Sequence, residues 1–304
     1  MKIIVAGGTG FIGHHVCQTL IENQHEVTVL SRNPAQARTG SSQKLSIVDW
    51  NTLSNRMEQT IGGVDAFINL AGAPIADARW TSSRKQLLIN SRVEATRQLV
   101  MAIGSASIKP KVLINASGIG IYGADTGVMM TESSPPGEGF LAELSRKWER
   151  EANRASEYGV RVICLRMGMV LGSDGGALRK MKTPFKLFVG GPIAPGTQQI
   201  SWIHLEDLVR LMTWILNHSS VSGPINAVAP QVVTMSEFCN RLGEALNRPS
   251  WLPVPAFALD VLLGEMADML TTGQQVAPQA ITQEGFSFKY PNLKEALHSL
   301  FVNQ

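Results

Sequence analysis

The sequence predicts an α/β fold with a doubly wound parallel sheet and a smaller C-terminal lobe. Short β-branched runs alternate with longer helical patterns through the first two thirds of the chain, which is the alternation typical of such sheets. The runs Phe67–Leu70 and Val112–Ile114 are almost continuously apolar, as strands buried on both faces are. After Leu171 the alternation gives way to a glycine- and proline-rich stretch at 190–196, which indicates a different organisation of the C-terminal third.

Each element follows from its local pattern. Strands are predicted at Ile3–Ala6, Glu26–Leu30, Leu45–Val48, Ala66–Asn69, Val112–Ala116 and Arg161–Arg166. Helices are predicted at Phe11–Asn23, Arg84–Ile103 and Leu141–Tyr158, then from about Glu206 to Asn217. The composition shifts again after Pro249, and Gly285–Phe288 is predicted as a strand or turn. These boundaries predict a first domain over 1–175, to which 200–230 returns, and a lobe formed by 176–199 and 231–304.

Composition excludes several function classes. The 304 residues include 27 basic and 24 acidic ones, a net charge of +3 without a basic cluster, so nucleic acid is not an expected partner. Cys17, Cys164 and Cys239 are far apart and lack the spacing of a disulfide framework or metal site, which favours a reducing cytoplasm. No run approaches the roughly 18 apolar residues that a membrane span needs. A soluble cytoplasmic protein without a metal is expected.

A glycine-rich motif lies between the first predicted strand and the first predicted helix. It reads Gly7-Gly8-Thr9-Gly10-Phe11-Ile12-Gly13. Glycines permit the tight turn and the close approach of the backbone to a pyrophosphate, and the helix N-terminus then offers unpaired N–H groups. The motif predicts a Rossmann domain that binds a dinucleotide. The alternative is that these glycines only form an ordinary strand-to-helix turn.

The end of the second strand predicts which dinucleotide is bound. It reads Val29-Leu30-Ser31-Arg32, and the acid that would accept hydrogen bonds from the ribose of NAD(H) is missing. Arg32, with Ser31, can instead bind the 2′-phosphate of NADP(H), unless Arg32 is only a surface residue. Asp49, at the end of the third strand, is a candidate for the adenine amino group or for a turn.

Further candidate cofactor-binding residues follow later strands. Asn69-Leu70-Ala71-Gly72 ends the fourth strand, at the sheet edge where ligands bind in open α/β folds. Gly168 and Met169 follow the sixth strand and are expected to pass beside the nicotinamide.

Several motifs together carry a family resemblance. The glycine motif, Asn69–Gly72 and Ile121-Tyr122-Gly123 resemble the extended short-chain dehydrogenase/reductase family, NAD-dependent epimerase/dehydratase type. The chain is more narrowly similar to a YfcH-like subfamily that ends in a domain of unknown function, through motifs that include Ser31-Arg32-Asn33-Pro34, Asn90-Ser91-Arg92, Lys147-Trp148-Glu149, Ser201-Trp202-Ile203-His204 and Gly285-Phe286. The resemblance implies that Arg92 lies near the cofactor, where it binds a phosphate or the nicotinamide ribose, unless it is a solvated helix residue.

The family's catalytic set is not intact in this sequence. The family uses a serine or threonine, a tyrosine and a lysine, and the corresponding positions here are Gly118, Phe140 and Leu144. Tyr122 is the candidate replacement acid, with Ser117 as hydrogen-bond partner and Lys147 nearby; alternatively, Tyr122 only packs beside the nicotinamide. A literal Y-x-x-x-K at Tyr290–Lys294 contains a proline and is interpreted as a chance match.

Two residues later in the chain are weaker candidates for the site. His204 and Asp207 lie at the start of a predicted helix, in a region that positions the substrate in related proteins. Asp207 is equally explained as a charge that complements the helix dipole.

Two functions remain open from the sequence. The first is an NADP(H)-dependent epimerase or oxidoreductase that acts on a small polar or sugar-nucleotide substrate. The second is a regulatory protein whose NADPH occupancy reports redox state to a partner, because the catalytic tyrosine and lysine are missing. A homodimer is possible in either case, since helices that flank this kind of sheet often pair.

Overall fold

The computed structural model describes residues 1–34, 44–50 and 62–301. Its strands are β1 (Lys2–Ala6), β2 (Glu26–Ser31), β3 (Leu45–Asp49), β4 (Ala66–Asn69), β5 (Val112–Gly118), β6 (Arg161–Met167), β7 (Met169–Leu171), β8 (Gln199–Ile200), β9 (Trp202–His204), β10 (Gly223–Ala227) and β11 (Val233–Thr234). The six predicted strands are therefore confirmed, each to within two residues at either end.

The helices that surround these strands are longest in the first two thirds of the chain. They are α1 (Phe11–Glu22), α2 (Ser82–Ser105), α3 (Phe140–Asn153), α4 (Gly176–Lys186), α5 (Leu205–Asn217), α6 (Met235–Leu246), α7 (Ala256–Leu263), α8 (Asp268–Thr271), α9 (Gln279–Gln283) and α10 (Leu293–Phe301). The helix predicted over 141–158 ends as α3 at Asn153 and continues as a 3₁₀ turn, Arg154–Tyr158. The segment 285–288 forms a turn and irregular backbone instead of a strand.

Within the described residues, seven strands form one sheet in the order β10-β6-β5-β4-β1-β2-β3. The pairs along it are parallel, so the predicted Rossmann-like fold is confirmed. The chain runs outward in one direction from β1 to β3 and in the other from β4 to β10. Ligands bind at such a reversal point, outside the carboxyl ends of the strands, which here lie between β1 and β4.

Helices cover the sheet on both faces. Side chains of successive strand residues point in opposite directions, so each face of the sheet has its own hydrophobic cluster. Val5 and Ile68 pack in one cluster with residues of α1 and α5. Ile4 and Phe67, their neighbours in sequence, pack in another cluster with residues of α2 and α3. This burial on both faces explains the continuous apolar runs in the sequence.

The C-terminal part of the chain has a hydrophobic cluster of its own. Phe185 of α4, Trp202 of β9 and Phe238 of α6 are buried there with residues of α10. β10 joins the edge of the main sheet, whereas β8 pairs with β11 and β7 with β9. The division into a first domain and a lobe at the stated boundaries stays a prediction. Within the described ranges, no helix combines the length and apolar composition needed to cross a membrane.

Candidate functional site

A cavity of about 440 Å³ lies at the carboxyl edge of the sheet, where the strand order reverses. It brings together most of the residues that the sequence singles out for the cofactor. These are Gly7, Gly10, Phe11, Ile12, Gly13, Leu70, Ala71, Gly72, Arg92 and Gly168, together with the catalytic candidate Ser117. Residues as far apart in sequence as Gly7 and Gly168 thus line one space.

The glycine motif forms the floor of this cavity. Gly7 has φ of +77°, and a Cβ on it would lie 2.7 Å from the carbonyl carbon and oxygen of Leu70. A Cβ on Gly13 would lie 2.1 Å from the Gly7 carbonyl oxygen, so a side chain at either position would force the backbone apart. Gly10 caps α1 without a side-chain hydrogen bond. The first N–H groups of this helix are the kind of donors that bind a phosphate.

Arg92 of α2 lies at the side of the cavity and is 7% exposed. Its Nη2 donates to the Ala73 carbonyl at 2.9 Å, while its Nε is buried without a hydrogen bond. Burial, together with the charge of Arg84, lowers the pKa of Arg92 to about 10, which still leaves it charged at neutral pH. Among the described residues no carboxylate lies within 4.0 Å of this guanidinium. A buried cation of this kind is suited to an anionic ligand.

The residues predicted for the adenosine end lie beyond the 440 Å³ cavity. Ser31 ends β2, the neighbour of β1 in the sheet, and Arg32 follows it at the surface. Asp49 ends β3 and pairs in register with Ser31. All three therefore lie at the same edge of the sheet as the glycine motif, on adjacent strands.

Two further predicted cofactor residues, Asn69 and Met169, do not line the cavity either. Asn69 is fully buried, and its side chain bonds Thr96 at 2.9 Å, Asn115 at 2.6 Å and the Ala71 N–H at 3.2 Å. It shapes the turn that carries Leu70 and Ala71. Met169 packs against the C-terminal cluster, and its N–H bonds the Ser201 carbonyl at 2.9 Å. Direct cofactor contacts by these two side chains are not supported by this geometry.

Ser117 belongs to a buried charged network that the sequence reasoning missed. Its hydroxyl donates to Glu149 Oε1 at 2.7 Å. Arg166 donates to the same carboxylate through Nε at 2.9 Å and through Nη2 at 2.8 Å. Glu149 and Arg166 are 8% and 7% exposed. Ser117 thus has its only proton engaged with Glu149, so it is not poised to donate to a substrate.

Tyr122 lies at the far end of the same network. Its hydroxyl donates to Asn226 Oδ1 at 2.7 Å and accepts from Arg166 Nη1 at 2.8 Å. Tyr122 is 2% exposed and does not line the cavity, and burial raises the pKa of its phenol. Lys147 instead forms an ion pair with Glu143 at 2.6 Å at the surface. The interpretation of Tyr122 as a replacement acid assisted by Lys147 is therefore not supported.

Comparison with known proteins identifies the family of this chain. The profile of the NAD dependent epimerase/dehydratase family matches residues 3–228. The chain belongs to this family. A second profile, that of a domain of unknown function (DUF1731), matches residues 254–300. The predicted family and C-terminal domain are confirmed, while the narrower YfcH-like assignment stays a prediction.

Several relatives of this epimerase/dehydratase family member match over its full length. An epimerase family protein SDR39U1 homologue from Arabidopsis thaliana, described as chloroplastic, is 40% identical; the match covers 99% of this chain and 86% of the relative. Epimerase family protein YfhF of Bacillus subtilis is 38% identical over 100% and 99% of the two chains. The crystal structure of human SDR39U1 isoform 2 with NADPH has a TM-score of 0.89 and 34% identity, and covers 100% of both chains.

Phe140 and Leu144, which the sequence predicts at the positions of the family's tyrosine and lysine, are both apolar. Phe140 packs edge-on against Trp80, with ring centroids 5.1 Å apart. Leu144 lines the cavity together with Leu141. Tyr290, from the literal Y-x-x-x-K, donates to Glu206 at 3.1 Å and does not line the cavity. None of these side chains supplies the proton transfer that the family's tyrosine provides.

His204 and Asp207 hold the start of α5 in place. His204 Nδ1 accepts from the Glu206 N–H at 3.1 Å as the N-cap of the helix. Asp207, fully buried, accepts from the N–H groups of Lys289 and Tyr290, each at 2.8 Å. Both residues therefore have structural partners outside the cavity.

The buried His204 predicts a pH-dependent loss of stability. Burial outweighs the nearby Asp207 and Glu206 and lowers the pKa of His204 to about 4, against about 6.5 in the unfolded chain. As the pH falls from 6.5 towards 4, the unfolded state takes up the proton first, so folding loses about 2–3 kcal/mol. We expect His204→Asn, which retains an N-cap, to lose less stability than the wild type between pH 7 and pH 4.5 in urea unfolding. Equal losses in the two proteins would contradict this assignment.

Proposed function

We propose that this chain is an NADP(H)-dependent oxidoreductase of the epimerase type that works without the family's tyrosine and lysine. The observation that carries the proposal is the glycine motif at the strand reversal, where Gly7 and Gly13 allow a close approach of backbone segments that any Cβ would prevent. The NADPH in the crystal structure of human SDR39U1 supports the same cofactor.

Individual residues have distinct tasks in this proposal. The N–H groups at the start of α1 bind the pyrophosphate, and Arg92 neutralises a phosphate from the side. Ser31 and Arg32 bind the 2′-phosphate, and Asp49 contacts the adenine. Leu70 to Gly72 and Gly168 pass their backbone beside the nicotinamide end. The cofactor supplies the hydride that is exchanged with the substrate.

The preference for NADP(H) is tested at Arg32. Arg32→Asp replaces the partner of the 2′-phosphate by a repelling charge, so we expect NADPH affinity to fall about 10- to 100-fold, the equivalent of ~1.5–3 kcal/mol. NADH affinity should change little, since NADH has no 2′-phosphate. Calorimetric titration of the cofactor-stripped protein with both dinucleotides measures the two effects.

Two outcomes of that titration would contradict different parts of the proposal. Equal losses for NADPH and NADH would refute the role of Arg32 in selecting the cofactor. Binding of neither dinucleotide by the wild-type protein would refute the proposed function itself. Arg97→Asp serves as the control, because Arg97 is an exposed arginine of α2 that pairs with Glu94.

The second candidate function is an NADPH-binding regulatory protein. The presence of Phe140 and Leu144 in place of the tyrosine and lysine favours it, because neither side chain exchanges protons. Steady oxidation of NADPH with any substrate from a carbonyl and sugar-nucleotide panel would exclude this alternative. Tight NADPH binding without any exchange of the nicotinamide hydride would exclude the oxidoreductase.

The proposal also covers the substrate class, the domain division, the location and the oligomeric state of the protein. We infer a small-molecule substrate, and a chain divided into a first domain, 1–175 with 200–230, and a substrate-side lobe formed by 176–199 and 231–304. A cytoplasmic location and a homodimer remain predictions from the sequence.

A further inference from the structure

Apart from the glycines, the residues that line the cavity have mostly apolar side chains. Pro74 and Ile75 come from the loop after β4, and Leu141, Leu144 and Trp148 come from α3. Arg92 is the one charged side chain among the described residues that line this space. Leu144, which the sequence predicts at the position of the family's lysine, is part of this apolar surface.

Such a wall discriminates between classes of substrate. A sugar nucleotide presents several hydroxyl groups and a charged diphosphate, and each of them needs a hydrogen-bond partner when it is buried. Ser117 has its proton engaged with Glu149, and the cofactor also needs phosphate partners. An aliphatic or aromatic group, by contrast, is stabilised in proportion to the area that it removes from water.

Helix α7 has exposed apolar side chains as well. Phe257, Val261 and Leu262 of α7 are between 66% and 71% exposed. The residues that follow α7 contact the loop and helix beside the cavity, since Glu265 pairs with Lys85 and a Cβ on Gly264 would lie 3.1 Å from Arg79 Nη2. The segment that follows α7 thus contacts the loop that carries Pro74 and Ile75.

We propose that the part of this cavity lined by Leu141, Leu144 and Trp148, beside the bound cofactor, accepts an uncharged and mainly apolar carbonyl or alcohol compound, and that it rejects sugar nucleotides. Ser145 is buried in the same wall, and its hydroxyl is the group placed to bind the single oxygen of such a substrate. The inference rests on the proposed function for the cofactor. It replaces the small polar or sugar-nucleotide substrate expected from the sequence.

The test compares two probes on the NADPH-loaded protein by ligand-observed NMR. 2-Naphthaldehyde is the apolar carbonyl probe and UDP-glucose is the sugar nucleotide. We expect 2-naphthaldehyde to bind in the cavity and UDP-glucose not to bind at the same concentration. Tighter binding of UDP-glucose, or binding of neither probe, would overturn the inference.

Variants of Leu141 locate the bound probe. Leu141 lines the cavity and is only partly buried, so the fold should tolerate a polar replacement there. Leu141→Asn should weaken 2-naphthaldehyde binding about 10-fold through the loss of apolar contact. The matched control Leu141→Met should leave it almost unchanged. Equal affinities for the Asn and Met variants would contradict the proposed site.

A titration with NADPH separates this inference from the proposed function. If the wild-type protein fails to bind NADPH, the proposed function is wrong, and the same two probes are then compared on the cofactor-free protein. If NADPH binds and UDP-glucose is preferred over 2-naphthaldehyde, the proposed function survives and the substrate inference is wrong.

Discussion

Glu149→Gln is expected to lower the free energy of unfolding by about 3–5 kcal/mol, because it breaks a buried ion pair from one side. Arg166 would keep its charge at 7% exposure and lose the carboxylate that now binds its Nε and Nη2. Ser117 would lose its charged acceptor as well. Urea unfolding followed by circular dichroism measures the change.

Two further variants show whether burial is the cause. Glu143→Gln removes an exposed carboxylate from the same helix, where it pairs with Lys147, and should cost no more than about 1 kcal/mol. Glu149→Gln combined with Arg166→Met should recover part of the loss, because no unpaired charge is left inside the protein. Similar effects of the two single variants would mean that the buried pair contributes little to stability.

The sequence predicts the sheet and the cofactor edge well because their signals are local. Each of the six predicted strands has three or four apolar residues, and the glycine motif is complete within seven positions. A parallel sheet then determines which strand ends lie together. The sequence alone therefore places Gly72 and Gly168 near the glycine motif.

The charged network could not be predicted in the same way. Ser117, Glu149 and Arg166 come from β5, α3 and β6, and only tertiary packing brings their side chains together. The one available signal was that Glu149 and Arg166 are charged residues in segments otherwise expected to be buried. Such residues are almost always paired.

Tyr122 shows the limit of placing residues by family position alone. The 3₁₀ turn Ile119–Tyr122 ends at Gly123, which has φ of +75°, and this local geometry decides where the ring goes. Its hydroxyl meets Asn226, which is 104 residues away in sequence. Tyr122 is close in sequence to the cavity residue Ser117, but its side chain does not reach the cavity.

Gly13→Ala is expected to reduce NADPH affinity at least about 100-fold. The new Cβ would lie 2.1 Å from the Gly7 carbonyl oxygen and 2.7 Å from Gly8 Cα. Both neighbours are backbone atoms, so the loop must move away from the start of α1. The loss of two charge-assisted hydrogen bonds to the pyrophosphate, each about 1.5–3 kcal/mol, accounts for an effect of this size. Calorimetric titration with NADPH measures it.

Gly118→Ala is the matched control, because Gly118 also lines the cavity. Its added Cβ would lie 3.9 Å from the nearest atom, an ordinary contact, and its backbone is extended. The thermal unfolding of both cofactor-free variants shows whether either substitution disturbs the whole fold. If Gly13→Ala unfolds like the wild type and binds NADPH as well as Gly118→Ala does, then the α1 N-terminus does not hold the pyrophosphate. The cofactor site would then have to be sought around Arg92 and Arg32 alone.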